Sequence, residues 1–279
     1  MNIEQIITEI EKKDPEVYER LSPRRKVMQQ FANTSKVIAL SALPLALGAL
    51  FNKAYGRDTM AISDVLQYAL TLEYLESEFY TNAVASGIIP AGDATAALTL
   101  IRDHEIAHVN LLKNTLTGMG VTPVSKPTFD FSAGSGSGNG PFKNVFVDYG
   151  LLLAVAQTFE DTGVRAYKGR AAELISNNAI LTVALQIHSV EARHASHLRS
   201  MRRILTGNTT IKPWITGNDT GGIGPAVQAS YNGEDLHVQA NIEIININNT
   251  GITFNAATEA FDEPLTASAV LAIVAPFIV

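Results

Sequence analysis

The chain is predicted to be all-α: a four-helix bundle with a long crossover between helices two and three, then a C-terminal extension holding a short strand and a final helix. Three observations predict it. Two Glu-x-x-His motifs, Glu105-Ile106-Ala107-His108 and Glu191-Ala192-Arg193-His194, each follow a lone acid at nearly one distance: Glu73 lies 32 residues before Glu105, and Glu160 lies 31 before Glu191. A turn signal sits midway in each interval, Gly87-Ile88-Ile89-Pro90-Ala91-Gly92 in the first and Ser176-Asn177-Asn178 in the second. Between the two halves runs Ser132-Ala133-Gly134-Ser135-Gly136-Ser137-Gly138-Asn139-Gly140, a tract too irregular for a tight turn.

Residues 1–56 differ from the rest of the chain. A charged opening leads to Ser22-Pro23-Arg24-Arg25-Lys26, then an uncharged run from Val37 to Asn52, then the small residues of Ala54-Tyr55-Gly56. Paired arginines, a modest apolar stretch and small residues at its end match a twin-arginine export signal, with a periplasmic or cell-envelope destination in a bacterium. Pro23 beside the arginines and the long segment before them depart from that pattern. The other reading is an amphipathic helix with an apolar arm packed on the protein, which would leave the chain cytoplasmic. The apolar run is shorter than the ~20 residues that span a bilayer, so no firm membrane span is expected.

Helix one is expected over 61–86 and helix two over 92–118, joined by the Gly-Pro turn. The crossover, 118–141, adds Pro123 and Pro127 to the glycine-serine tract. Helix three is expected over 142–175 and helix four over 179–205. Residues 57–206 then form the bundle, and 207–279 an extension packing on it. Lys212 is the only basic residue after Gly207, and Leu236 to Ile244 alternates apolar with polar, as a strand does. Residues 266–276 form a small-residue apolar stretch expected to be the last helix.

The bundle geometry gives the spacing its meaning. At about 1.5 Å per residue, each acid sits roughly 20 Å from its turn, so descending and returning helices bring their ligands to one height. One Glu from each of two helices and a Glu plus His at i, i+3 from each of the other two is the ligand set of a dinuclear metal site. The six candidates are Glu73, Glu105, His108, Glu160, Glu191 and His194. Four carboxylates and two imidazoles are costly to bury unless cations neutralise them. Tyr80 follows Glu73 by seven residues and Tyr167 follows Glu160 by seven, two turns along the same face. This repeat selects Glu73 over the runner-up Glu76, because Glu160 matches Glu73 while Gly163 matches Glu76. Apolar neighbours turn the motifs inward: Ala107, Leu111 and Leu112 beside His108, Val190, Ala195 and Leu198 beside His194, and Val155, Ala156 and Phe159 beside Glu160. The alternative is a set of buried, hydrogen-bonded carboxyls without metal. His104, His188 and His197 lie near enough to support the ligands, though surface or capping roles also suit them. His237 reads as surface.

Composition narrows the chemistry. There is no cysteine, which excludes disulfides, thiolate metal sites and iron–sulfur clusters. The net charge of −6, with no basic cluster beyond the N-terminal region, argues against nucleic acid. Eight of the 21 basic and six of the 27 acidic residues fall in 1–56, so the remainder carries −8 and attracts cations.

The segments Leu72-Glu73-Tyr74-Leu75-Glu76-Ser77-Glu78-Phe79-Tyr80, Glu191-Ala192-Arg193-His194-Ala195 and Ala260-Phe261-Asp262-Glu263-Pro264-Leu265-Thr266 carry a family resemblance. From about residue 60 to its end the chain resembles the ferritin-like superfamily, and more narrowly the branch of desiccation-related proteins and exported bacterial ferritin-like proteins. By likeness to ferritins, rubrerythrins and manganese catalases, the resemblance implies two iron or manganese ions. Glu105 and Glu191 would bridge them, Glu73 and Glu160 would be terminal, and His108 and His194 would supply nitrogen. It implies an oxidoreductase handling peroxide or O2 with ferrous ion in stress protection, with Tyr80 and Tyr167 either tuning the centre or packing beside it. The alternative is a non-enzymatic exported protein, structural or desiccation-protective, on the same scaffold. A homo-oligomer is expected, a dimer rather than a storage cage.

Overall fold

A computed structural model describes residues 59–239 and 241–279. The export-signal reading of 1–56 lies outside the described residues. Four long helices form the bundle: α1 (Thr59–Ala85), α2 (Asp93–Gly118), α3 (Tyr149–Ala171) and α4 (Asn178–Thr206). α1 packs along α2 and α3 along α4, two hairpins closed by the expected turns. The first turn uses Gly87 (φ 74°) and Gly92 (φ 98°), left-handed positions that glycine takes without strain. In the second, the Asn177 side chain caps α4 by accepting from the Ile180 amide at 3.2 Å. No helix among the described residues is long and apolar enough to cross a membrane.

Helix three starts later than the expected 142. The apolar residues Phe142 and Val145 suggest helix, but they are buried parts of the crossover, and the Phe142 amide donates to Ser132 O. Asp148 begins α3 by accepting from the Leu151 amide at 3.0 Å. The crossover is organised around Asp130. Its Oδ1 accepts from the Ser132 amide and hydroxyl, and its Oδ2 from the amides of Gly136 and Gly138. Those donors, the Ser132 hydroxyl foremost, hold its pKa down at about 2.

The C-terminal segment covers α3. A short helix α5 (Phe254–Thr258) precedes α6 (Ala267–Val274), and a 3-10 turn over Ala275–Phe277 ends the apolar stretch. The short strand expected over 236–244 is present, paired as a hairpin of β1 (Val238–Gln239) against β2 (Ile242–Glu243), because Asn241 adopts φ 65° and folds the chain back. Arg165, 1% exposed, pairs with Glu234 at 2.5 Å and donates to the carbonyls of Glu263, Ser230 and Asn232. Tyr231 reaches Asp161 Oδ2 at 2.8 Å, and Asp161 also pairs with Arg199 of α4.

Two apolar clusters fill the bundle, and in every long helix the acid lies between them. Leu70 and Phe79 flank Glu73, Ile101 and Leu112 flank Glu105, Leu153 and Tyr167 flank Glu160, and Ile187 and Leu198 flank Glu191. A polar layer thus crosses an otherwise apolar interior.

Candidate metal centre

That layer contains all six expected side chains, each buried. They form two overlapping groups whose ligand atoms lie within 4.8 Å of one another: Glu73, Glu105, His108 and Glu191 in one, and Glu105, Glu160, Glu191 and His194 in the other. His108 Nδ1 lies 3.1 Å from Glu73 Oε2, 3.1 Å from Glu105 Oε2 and 3.4 Å from Glu191 Oε1. His194 Nδ1 lies 3.0 Å from Glu105 Oε1 and 3.1 Å from Glu160 Oε2. One turn of α2 and one of α4 supply these pairs because i and i+3 share a helix face.

The two solitary acids are steadied from the opposite hairpin. Tyr80 on α1 donates to Glu160 Oε1 at 2.6 Å, and Tyr167 on α3 donates to Glu73 Oε1. Both carboxylates of the Glu-x-x-His motifs have oxygens that accept no well-aligned hydrogen bond: Oε1 of Glu105 and both oxygens of Glu191, despite imidazole nitrogens 3.0 Å from Glu105 Oε1 and 3.4 Å from Glu191 Oε1. Burial without donors is expensive for a carboxylate. Accordingly burial, then the charge of its neighbours, drives the pKa of Glu105 and Glu191 well above the ordinary carboxylate range. Burial raises Glu160 to about 8. Glu73 also suffers burial, but the His108 charge and its hydrogen bonds outweigh it and hold this acid low. The same acids raise His108 against its burial. Orphaned, mutually repelling oxygens facing two imidazoles fit cations, and carboxylate with imidazole is a ligand set for divalent metals. These buried clusters could hold metal ions.

Glu76 stands outside both groups, though it is buried in the same layer. Burial and then the charges of Glu191, Glu160, Glu105 and Glu73 push its carboxyl up. Its repeat counterpart, Gly163, makes the room: a Cβ there would sit 2.8 Å from Glu191 Oε2 and 3.4 Å from Glu76 Oε1. The alignment of Glu76 with Gly163 was the available signal for that space. Of the extra histidines, His104 contacts the centre, with Nδ1 2.9 Å from His194 Nε2. His188 binds the Val164 carbonyl, His197 is exposed, and His237 pairs with Glu243 at the surface. Among the expected apolar flanks, Ala107 is exposed and Leu111 and Val190 are half-buried, while Leu112, Ala195 and Leu198 are buried.

A family model described as a ferritin-like domain matches residues 62–203. That span holds all four long helices but for their outermost residues, and all six buried ligand candidates. No curated protein matches the chain.

Proposed function

The chain belongs to the ferritin-like domain family, and from that premise we propose a dinuclear oxidoreductase that consumes peroxide or O2 while oxidising ferrous ion. Two iron or manganese ions would be held by Glu105 and Glu191 in common, by Glu73 and His108 on one side, and by Glu160 and His194 on the other. One observation carries this reading. Glu105 and Glu191 are the residues shared by both groups, and among the six candidates they are the ones with orphaned oxygens. Four carboxylates against two divalent cations balance in charge, which removes the cost of burying either set alone.

Bound there, the ions would supply electron transfer to the oxidant. The chain's own residues do the remainder. The hydroxyls of Tyr80 and Tyr167 fix the outer carboxylates Glu160 and Glu73. Leu70, Phe79, Leu112 and Leu198, all buried, keep bulk water from the layer and so strengthen electrostatics within it. Arg24-Arg25 ahead of the apolar run supports export, and with it a stress-protective role in the bacterial envelope.

The test is the metal content of protein purified without added metal, with Glu105→Ala and Glu191→Ala alongside. The expected result is about two iron or manganese ions per chain, lost in both variants, and peroxide-dependent oxidation of ferrous ion by the parent protein. Protein that takes up neither ion would sink the reading and leave the bundle a non-enzymatic scaffold.

A further inference from the structure

The repeat that matches Glu105 with Glu191 and His108 with His194 breaks one turn upstream. His104 and Val190 occupy corresponding positions, four residues before each histidine. Both ligand histidines turn Nδ1 toward the carboxylates, so Nε2 of each points away. Nε2 of His194 meets Nδ1 of His104 at 2.9 Å, with the two rings 13° from parallel and their centroids 5.2 Å apart. Nε2 of His108 has no hydrogen-bond partner among the described residues.

We infer that His104 is a positioning residue that makes the two metal positions unequal, so that the position at His194 fills first. This rests on the dinuclear reading above. A neutral imidazole that offers a lone pair from Nδ1 carries its proton on Nε2. At His194 that N–H has an acceptor, Nδ1 of the half-buried His104, whose own proton then sits on Nε2. The contact selects the metal-binding tautomer of His194, fixes its ring plane and makes Nδ1 a better donor to a cation. His108 has no such partner among the described residues. Residues of this kind typically change metal affinity 10–100-fold. The two groups carry the same types of ligand, and His104 lies outside both, so its effect does not depend on which ion binds.

The full chain, stripped with a chelator, would be titrated with Mn2+ and followed by calorimetry and by the Mn2+ electron spin resonance signal. Two binding steps separated by about 10–100-fold are expected. His104→Ala should weaken the tighter step by that factor and merge the two. His104→Asn can place Oδ1 where Nδ1 was and accept the same N–H, so it should restore the separation; a space-filling role would not be rescued this way. Should His104→Ala fail to fold, His104→Phe keeps a ring at this place without an acceptor and should weaken the tighter step by the same factor. Two ions bound with identical steps in the parent and in these variants, or no rescue by His104→Asn, would overturn the inference and leave the dinuclear reading standing. No Mn2+ uptake by the parent would overturn both.

Discussion

Tyr80 on α1 donates its hydroxyl to Glu160 on α3 across 2.6 Å, joining the two hairpins at the level of the polar layer. Tyr167 returns the contact to Glu73, so each solitary acid is held from the opposite half of the repeat. Tyr80→Phe would keep the ring, fully buried among Phe79 and its neighbours, and remove only the donor. The expected loss is about 1–2 kcal/mol of stability in the metal-free protein, measured by urea unfolding. Metal should bind about tenfold more weakly. An unchanged unfolding midpoint together with unchanged metal affinity would assign the tyrosine to packing alone.

Stability of the metal-free protein should fall as pH rises from about 5.5 to 8. Burial raises the folded-state pKa of Glu160 from 4.5 to about 8 and drives Glu76, Glu105 and Glu191 up as well. In that interval the folded protein binds more protons than the unfolded chain, so each unit of pH costs it free energy. His108, raised by its acids, acts in the same direction above the ordinary histidine pKa. Glu73, held low, stabilises the fold above the ordinary carboxylate pKa, so its opposing effect is spent below this window. Metal reverses the trend, because ligands must shed protons to bind it. Thermal midpoints with chelator should therefore decline across the interval, and those with excess Mn2+ should hold or rise. A chelated protein that gains stability with pH would contradict the charge arrangement described.

Gly163→Ala separates the centre from the fold. The new Cβ would sit 2.8 Å from Glu191 Oε2, and the flexible end of that side chain can swing aside. Within a helix alanine is preferred to glycine by up to about 1 kcal/mol, so the variant should remain helical by circular dichroism. Glu191 would then no longer serve both groups, and bound metal per chain should drop markedly. Full metal content in this variant would mean that Glu191 accommodates the methyl group without leaving its place.

The polar layer was legible because helix geometry converts spacing into height. Two i, i+3 pairs and two acids equidistant from their turns can meet in one plane only in antiparallel hairpins, and the buried positions of Glu73, Glu105, Glu160 and Glu191 agree. The contact of His104 with His194 was not legible, since it depends on which side chains of α2 and α4 face each other across the bundle. The start of helix three was not legible either: Phe142 and Val145, inside the expected helix, are buried in the loop around Asp130. The alternation at 236–244 does mark strand, which left-handed Asn241 folds into a hairpin. The start of helix three yielded to a loop that only tertiary contacts define.

Gly169→Ala tests how the C-terminal segment is seated. A Cβ at this point of α3 would lie 1.9 Å from the carbonyl oxygen of Leu265, a backbone atom that cannot step aside as a side chain does. The same stretch is tied by the Leu265 amide donating to Arg165 O at 3.1 Å, and by Arg165 Nε donating to Glu263 O. The methyl group would push residues 263–266 away from α3 and strain both bonds. Helix propensity favours alanine by up to about 1 kcal/mol, but overpacking of this kind costs about 1–3 kcal/mol, so clash should prevail. The six ligand candidates lie on α1 to α4 and none on the segment, so metal content should be retained while limited proteolysis between residues 207 and 266 accelerates. Cleavage at the parent rate would show that the segment shifts as a unit and keeps its hold on the bundle through Arg165, Glu234 and Tyr231.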